Sequence, residues 1–171
     1  DTICGWCYIG HTRLLKAVNN FKTKSFIFEH IPFQLNPDMP KIGINRKDYL
    51  KYKFGSIEAA KPMYDNMAQE ALKESLKFNL EKIQIIPNTN FSHILIKLAF
   101  SKNIGHEILR KIFHAYFSEG KNIGDLKVLI EIGKSSNIKE KEIYDIFSSE
   151  KEINAINKSD VTARSMGISG V

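Results

Sequence analysis

Cysteine is scarce in this sequence: there are two in 171 residues, Cys4 and Cys7, and both lie within the first ten positions. A disulfide between them would close a loop too short to constrain the unfolded chain much, so a structural cross-link is not favoured. A zinc site is not favoured either, because there is no second cysteine pair and His11 alone does not complete four ligands. Redox chemistry is left as the favoured role for the pair.

Long hydrophobic runs are also missing. No apolar stretch approaches the roughly 20 residues that a membrane-spanning helix needs, so we expect no membrane segment. No signal sequence with a basic start, an apolar centre and small residues after it is visible. The chain begins with Asp1 rather than Met, and we expect residues upstream of it to be missing, so the absence of a signal carries little weight.

A dense basic block is lacking as well. The net charge of +6 and the isoelectric point near 9.2 would suit a nucleic-acid-binding protein. The lysines, however, are interspersed with glutamates, as in IKEKEIYDIFSSEKEINAINK, which is typical of solvated helix faces. No zinc-finger or RNA-binding motif appears, so we expect no nucleic-acid partner.

The sequence does contain a regular succession of apolar periods. Residues 8–22 have helical spacing, whereas residues 25–31 alternate aromatic and branched side chains and predict a strand that ends at Pro32. The three prolines of residues 32–45 predict a loop and a domain boundary. Further helical periods follow at 46–54, 57–78, 91–102, 106–120, 124–136, 139–149 and 150–166.

The two cysteines lie where redox chemistry needs them, at the junction of a short strand stub and the first predicted helix. The free N–H groups and partial positive charge of a helix start favour a thiolate. We therefore expect Cys4, exposed at that start, to be the nucleophile. Cys7 lies one turn along the same helix, close enough to attack a mixed disulfide at Cys4 and resolve it.

Five stretches of the chain carry a family pattern: DTICGWCYIG, PFQLNP, NTNFSHILIKLA, IFHAYFSEGKNIGDLKVL and ARSMGISGV. In this order and at these separations they resemble the DsbA-like oxidoreductases of the FrnE type, which are thioredoxin-fold proteins with a helical insertion. The resemblance spans essentially the whole chain. It implies that Cys4, Gly5, Trp6 and Cys7 occupy the positions of the C-P-W-C dithiol centre of that family.

The resemblance implies an α/β fold: a thioredoxin-like domain with a large α-helical insertion, truncated at both ends in this chain. Residues 1–40 would form the N-terminal part of the thioredoxin-like domain, 41–158 the α-helical insertion, and 159–171 the return into the thioredoxin-like domain. In the family a cis-proline facing the cysteines follows the final Gly-Val, and this chain ends at Val171 before it. Gly5 replaces the proline of the family and is expected to loosen the start of the helix.

Two further residues are candidates for substrate binding. Trp6 lies between the thiols and, in the family, against the active-site surface, although simple packing is an equally good interpretation. His93 matches a family histidine on the inserted domain that faces the catalytic cleft, and a histidine bonded to nearby backbone is the structural alternative. Phe113, Tyr116 and Phe117 recur at helical spacing and predict a core stripe rather than a ligand site.

Two rival functions fit the same architecture. The glutathione-dependent isomerases and transferases, namely 2-hydroxychromene-2-carboxylate isomerase and kappa-class glutathione transferase, typically carry serine at the first cysteine position and use the thiol of glutathione. A redox-inert peptide-binding module is the other alternative. The presence of both cysteines favours a thiol–disulfide oxidoreductase in which Cys4 exchanges disulfides and Cys7 resolves them.

The dithiol pair is then itself the redox group, so we expect no metal and no organic cofactor, with glutathione as a candidate small thiol. The expected partner is a substrate protein with a thiol or disulfide, or a small thiol, and a homodimer is left open. Most members of the resembled family lack export signals, which predicts a cytoplasmic location.

Overall fold

The computed structural model describes residues 1–21 and 23–171, and most of them are helical. The α-helices in chain order are α1 (Gly5–Asn19), α2 (Arg46–Phe54), α3 (Ile57–Lys73), α4 (Asn90–Ser101), α5 (Gly105–Phe117), α6 (Leu126–Lys134), α7 (Glu140–Phe147) and α8 (Glu150–Ser165). A short 3₁₀ helix (Leu80–Lys82) and two short strands, β1 (Ile44–Asn45) and β2 (Ile85–Ile86), complete the described elements. Every stretch that the sequence predicts as helical contains a helix.

Capping residues fix both ends of α2 and the start of α3. The side-chain oxygen of Asn45 accepts the N–H of Lys47 at 2.9 Å, and Gly55 ends α2 with a φ of +83°, a conformation that suits glycine. The hydroxyl of Ser56 then accepts the N–H of Ala59 at 3.0 Å and caps the start of α3. A tight turn therefore joins α2 to α3 and holds them side by side.

Helix α4 lies at the centre of the helical body. Its side chains Ile94, Leu95, Ile96 and Ala99 have no exposed surface, and the helix contacts α5, α6, α7 and α8. A helix that is apolar on nearly every side must be surrounded by other elements, because exposing any of its faces to water would cost hydrophobic free energy. Helices α5, α6, α7 and α8 accordingly pack around α4. Helix α1 joins this body through α5 and also contacts α3, which in turn contacts α2.

The two strands pair antiparallel, with Ile44 opposite Ile86 and Asn45 opposite Ile85. The N–H of Arg46 continues the pairing by donating to the carbonyl of Gln84 at 2.8 Å. Because α2 begins directly after β1, this small sheet ties the start of α2 to the segment that precedes α4.

The prediction of a strand at residues 25–31 is wrong. None of these residues forms a ladder with another described residue. The predicted alternation is visible in the exposure of residues 27–31 alone, where Phe28 and His30 are half-buried and their neighbours are exposed, because Phe26 is exposed as well. A period of two residues specifies an extended backbone, but a strand also needs a neighbour to satisfy its N–H and C=O groups.

The loop after this segment is held by the last helix. The carboxylate of Asp160 accepts the N–H of Gln34 at 2.8 Å, and the guanidinium of Arg164 donates to the Gln34 carbonyl and lies 4.5 Å from the centre of the Phe33 ring. The predicted boundary between residues 158 and 159 falls inside α8, and the division into 1–40, 41–158 and 159–171 stays a prediction. The hydrogen bonds to Gln34 join the loop after residues 25–31 to the last helix, α8.

Candidate active site

Cys4 directly precedes α1 and caps it. Its backbone is extended, with φ −92° and ψ 112°, and its carbonyl accepts the N–H groups of Cys7 and Tyr8 at 3.1 and 3.3 Å. Tyr8, which follows Cys7, anchors the helix in the core. Its ring stacks on the rings of Phe113 and Phe78, with ring centroids 4.8 and 5.8 Å apart. Cys7 consequently lies within one turn of Cys4, and both thiols are free.

The two thiols differ in acidity because they share a hydrogen bond. The bond from the Cys7 thiol, together with the backbone N–H groups of Cys7 and Trp6, lowers the pKa of Cys4 from 9.0 to about 6 against the opposing effect of burial. The same hydrogen bond and burial raise the pKa of Cys7 well above its ordinary value. This geometry favours, at neutral pH, a thiolate at Cys4 beside a protonated Cys7.

The prediction that Cys4 is exposed is wrong. Its residue surface is only 5% exposed, and Cys7 is the less buried of the two. Cys4 faces a cavity rather than open solvent, and its thiol lies 3.4 Å from the backbone carbonyl of Val171. Contacts from residues far away in the chain therefore cover the helix start, which spacing along the sequence does not reveal.

The cavity beside Cys4 has a volume of about 220 Å³. Side chains from helices α1, α2, α3 and α5 line it. Aromatic side chains form much of its wall, namely Trp6, Tyr49, Phe54, Tyr64, Tyr116 and Phe117. Two cationic side chains, Arg46 and Lys53, also line it. An apolar cavity with a few polar groups and a thiol of lowered pKa has the composition of a site for chemistry.

Trp6 borders this cavity, as its position between the cysteines suggests. It is 41% exposed although it is a large apolar side chain, so it lies at the mouth rather than in the core. An exposed tryptophan next to a thiol of lowered pKa has a flat apolar surface that a ligand could contact. Its role in substrate binding stays a prediction.

His93 lies elsewhere. It is buried on α4 with 1% of its surface exposed, and its Nε2 atom is 3.4 Å from the carboxylate of Asp1. Burial lowers the pKa of His93 to about 3, so the ring is neutral at ordinary pH. Among the described residues His93 is not one of those that line the cavity beside Cys4. Its predicted contact with a substrate stays a prediction, and nothing in this placement supports it.

The stripe of Phe113, Tyr116 and Phe117 is buried, as the helical spacing predicts, with 2% of each residue exposed. Tyr116 and Phe117 also reach the cavity, so the inner face of α5 serves both as core and as cavity wall. Burial raises the pKa of Tyr116, which keeps its hydroxyl protonated.

Close packing of α1 against α3 explains why a glycine fits at position 5. A Cβ atom at this position would overlap the Sδ atom of Met67 on α3 and would come within 2.9 Å of its Cε atom. Glycine therefore lets α1 approach α3 closely at the cysteine end. The expectation that Gly5 loosens the helix start stays a prediction.

Arg46 and Lys53 are among the cavity residues that the sequence reasoning missed. Their spacing on α2 gave a signal, because Arg46, Tyr49 and Lys53 are three and four residues apart and so share one helix face. What the sequence does not provide is the direction of that face. The pairing of β1 with β2 and the turn into α3 direct it toward Cys4.

Two structural findings bear on bound metals and membranes. Within residues 1–21 and 23–171, no three histidine, cysteine, aspartate or glutamate residues are grouped so that they could hold a metal ion. In the same described part of the chain, no helix is both long and apolar enough to cross a membrane.

The sequence has a curated relative in Bacillus subtilis (strain 168), the uncharacterized protein YwbO. The two are 25% identical over 135 residues, which are 78% of this chain and 62% of the relative. The chain thus spans less than two thirds of the length of that relative.

Two solved structures share the fold. A probable DsbA oxidoreductase from Streptomyces coelicolor superposes with a TM-score of 0.87 at 23% identity, over 100% of this chain and 75% of that one. The cytosolic disulfide reductase DsbM from Pseudomonas aeruginosa, solved with GSH, superposes with a TM-score of 0.59 at 19% identity, over 99% and 79% of the two chains.

These likenesses confirm the predicted fold class, a thioredoxin-like α/β fold with a large helical insertion. In this chain the helical part dominates the described residues and the sheet is small. The family pattern of the DSBA-like thioredoxin domain matches residues 1–171, which is the whole of the chain. The chain therefore belongs to the DSBA-like thioredoxin domain family.

Proposed function

We propose that this protein is a thiol–disulfide oxidoreductase with Cys4 as the attacking sulfur and Cys7 as the resolving one. The observation that carries the proposal is the placement of two free cysteines one turn apart at the start of α1, with Cys4 directly before the helix and facing the cavity. The lowered pKa of Cys4, about 6, agrees with this placement. A thiol of this acidity is largely thiolate at neutral pH, and the thiolate is the form that attacks a disulfide.

The exchange balances without a further reagent. The Cys4 thiolate attacks one sulfur of a substrate disulfide, so a Cys4–substrate bond forms while the substrate S–S bond breaks and releases a thiolate that takes a proton. Cys7 then loses its proton and attacks the Cys4 sulfur, which releases the second substrate thiol. The protein is oxidised to a Cys4–Cys7 disulfide, and the substrate is reduced by two electrons. Run backwards, the same steps oxidise a dithiol.

The hydrogen bond between the thiols also orders these steps. It is the largest cause of the raised pKa of Cys7, and it depends on a negative Cys4 sulfur as acceptor. Once Cys4 is bound in a mixed disulfide that charge is gone, so the pKa of Cys7 falls toward its ordinary value, while burial still opposes its ionisation. Cys7 is thus held inactive until there is a mixed disulfide to resolve.

The proposal needs no metal and no organic cofactor, because the electrons reside in the two sulfurs. The partner is a protein or small molecule with a disulfide or thiol. A cytoplasmic location is proposed with it, supported by the cytosolic disulfide reductase among the proteins of the same fold.

The proposal is tested by comparing the reduced protein with its Cys4→Ser and Cys7→Ser variants in the reduction of a peptide disulfide. We expect Cys4→Ser to lose the reaction completely. Cys7→Ser should stop after the first step and accumulate a Cys4–peptide mixed disulfide that mass spectrometry detects. Cys4→Ser that retains full activity with glutathione would favour the glutathione-dependent isomerase instead, and inactivity of the intact dithiol would favour a redox-inert binding module.

A further inference from the structure

The cavity beside Cys4 is charged on one side. Arg46 and Lys53 both line it from α2, two turns apart on the same helix face. None of the described residues that line this cavity is an aspartate or a glutamate. An incoming group would therefore meet two cations, the Cys4 sulfur and aromatic walls.

Both cations are held by aromatic rings rather than by carboxylates. The guanidinium of Arg46 lies 5.0 Å from the centre of the Tyr64 ring. The ammonium of Lys53 donates to the Tyr49 hydroxyl at 2.9 Å and lies 5.3 Å from the centre of that ring. Among the described residues, no carboxylate comes within ion-pair distance of either cation, so their charge is available to a ligand.

The two cations differ in their other surroundings. Arg46 also borders a neighbouring cavity whose lining includes Glu58, Asp65 and Glu81, and Asp65 there is paired with Lys61. Lys53 does not line that neighbouring cavity. Arg46 is half-buried whereas Lys53 is exposed, so solvent screens the charge of Lys53 more strongly. We therefore expect the two cations to contribute comparably to the attraction of an anion.

The size of the cavity limits what enters. A volume of about 220 Å³ is smaller than that of pockets for drug-sized ligands, which span roughly 300–1,000 Å³. It accommodates one or two residues of a chain rather than a long peptide. A group that places its sulfur at Cys4 would therefore place its adjacent side chain or carboxyl group near α2.

We propose that Arg46 and Lys53 select disulfide substrates that carry a carboxylate next to the reacting sulfur. The inference rests on the proposed thiol–disulfide exchange and names its substrate class. A carboxylate at the half-buried Arg46 forms charge-assisted hydrogen bonds, and the charges of Arg46 and the exposed Lys53 steer its approach. The carboxylate can belong to an acidic residue beside a substrate cysteine or to a small acidic thiol such as glutathione.

Single-turnover reduction by the fully reduced protein tests the selection without any external reductant. The probes are the disulfide-linked dimers of acetyl-Glu-Cys-Gly-amide and acetyl-Gln-Cys-Gly-amide, which differ only in charge, and glutathione disulfide as the small acidic disulfide. Each turnover forms the Cys4–Cys7 disulfide and releases two probe thiols. At low ionic strength we expect the Glu probe to react about tenfold faster than the Gln probe, with the difference shrinking at high salt.

The variant that removes both cations is Arg46→Gln/Lys53→Gln. Its matched control is Lys47→Gln/Lys51→Gln, which removes the same charge from exposed positions of α2 outside the cavity. The first double variant should lose the preference for the Glu probe, and should lose rate with glutathione disulfide, whereas the control should keep both. Circular dichroism melting confirms that each variant is folded.

Each result decides a different question. Dependence on Arg46 and Lys53 with the Glu peptide supports selection of acidic protein segments, and dependence with glutathione disulfide alone supports selection of the small thiol. If neither acidic probe depends on the two cations more than on Lys47 and Lys51, the selection is overturned while the exchange activity stands. If the reduced protein reacts with no probe, the proposed function itself is overturned.

Discussion

The helical body around α4 and the cavity beside Cys4 use apolar side chains in opposite ways. In the body, Ile94 and Leu95 have no exposed surface, and their neighbours come from several helices. At the cavity, Trp6 and Met63 expose 41% and 42% of their surface to solvent, and cations lie among the aromatic rings. The enclosed region supplies the free energy of folding, whereas the open one leaves apolar surface and charge for a ligand.

This division predicts that substitutions in the body and at the cavity have separable effects, one on stability and the other on reactivity. Helix α1 belongs to both regions, because Tyr8 is stacked in the core while Cys4, before the first turn, faces the cavity.

The largest effect is expected in the body. Leu95→Ala should lower the free energy of unfolding by about 2–5 kcal/mol, because it leaves a void next to Gly133 in a fully enclosed site. Urea unfolding measures the change, and Leu72→Ala, at a position that is 63% exposed, serves as the control with a change within about 0.5 kcal/mol. The pKa of Cys4 in the folded Leu95→Ala protein should stay at its original value. A large shift of that pKa would show that the two regions are not separable.

The second effect is a pH dependence that comes from the cavity region alone. The pKa of Cys4 is about 6 in the folded protein and 9.0 as its ordinary value, so between these two pH values the unfolded chain binds the extra proton. The stability of the reduced protein should therefore rise from pH 6 to pH 9, and this contribution should be lost as the pH falls through 6. Above pH 9 the raised pKa of Cys7 reverses the slope, because the folded protein keeps a proton that the unfolded chain releases.

The urea midpoint of the reduced protein as a function of pH measures this curve. The Cys4→Ser/Cys7→Ser double variant is the control and should lack the rise between pH 6 and pH 9. The same rise in the variant would assign it to other titrating groups.

A smaller effect is expected where the two regions meet. Gly5→Pro should lower the free energy of unfolding by about 1 kcal/mol, the low end of the cost of overpacking, because the flexible end of the Met67 side chain must move away from the added ring atoms even though proline suits the first turn of a helix. Met67→Ala makes room for the ring, so the double variant should be more stable than the sum of the two single changes predicts. Simple additivity of the two changes, or a stabilising Gly5→Pro, would favour the view that Gly5 only loosens the helix start.

The helices could be predicted from the sequence because their signals are local. The period of apolar residues places α2 at residues 46–54, where Asn45 and Gly55 cap its two ends, and Ser56 caps the start of α3. The fold class was predictable as well, from motifs spread over the whole chain and their resemblance to a known family.

Features that depend on distant contacts were not predictable. Residues 25–31 have the period of a strand, but the period does not specify a pairing partner. Cys4 is buried because the cavity walls and Val171 come to it from other parts of the chain. Arg46 and Lys53 share a helix face that the sequence reveals, yet only the packing of α2 places that face beside the thiol.

The most direct test of the account is the pH dependence of alkylation of the fully reduced protein with a limiting amount of iodoacetamide. Mass spectrometry of the digested protein identifies which cysteine is modified and at what rate. We expect modification almost entirely at Cys4, with a rate that rises around pH 6 and levels off above it, and Cys7 unreactive throughout the neutral range. Preferential modification of Cys7, or two thiols that both titrate near their ordinary pKa of 9.0, would contradict the central claim that Cys4 is the activated sulfur.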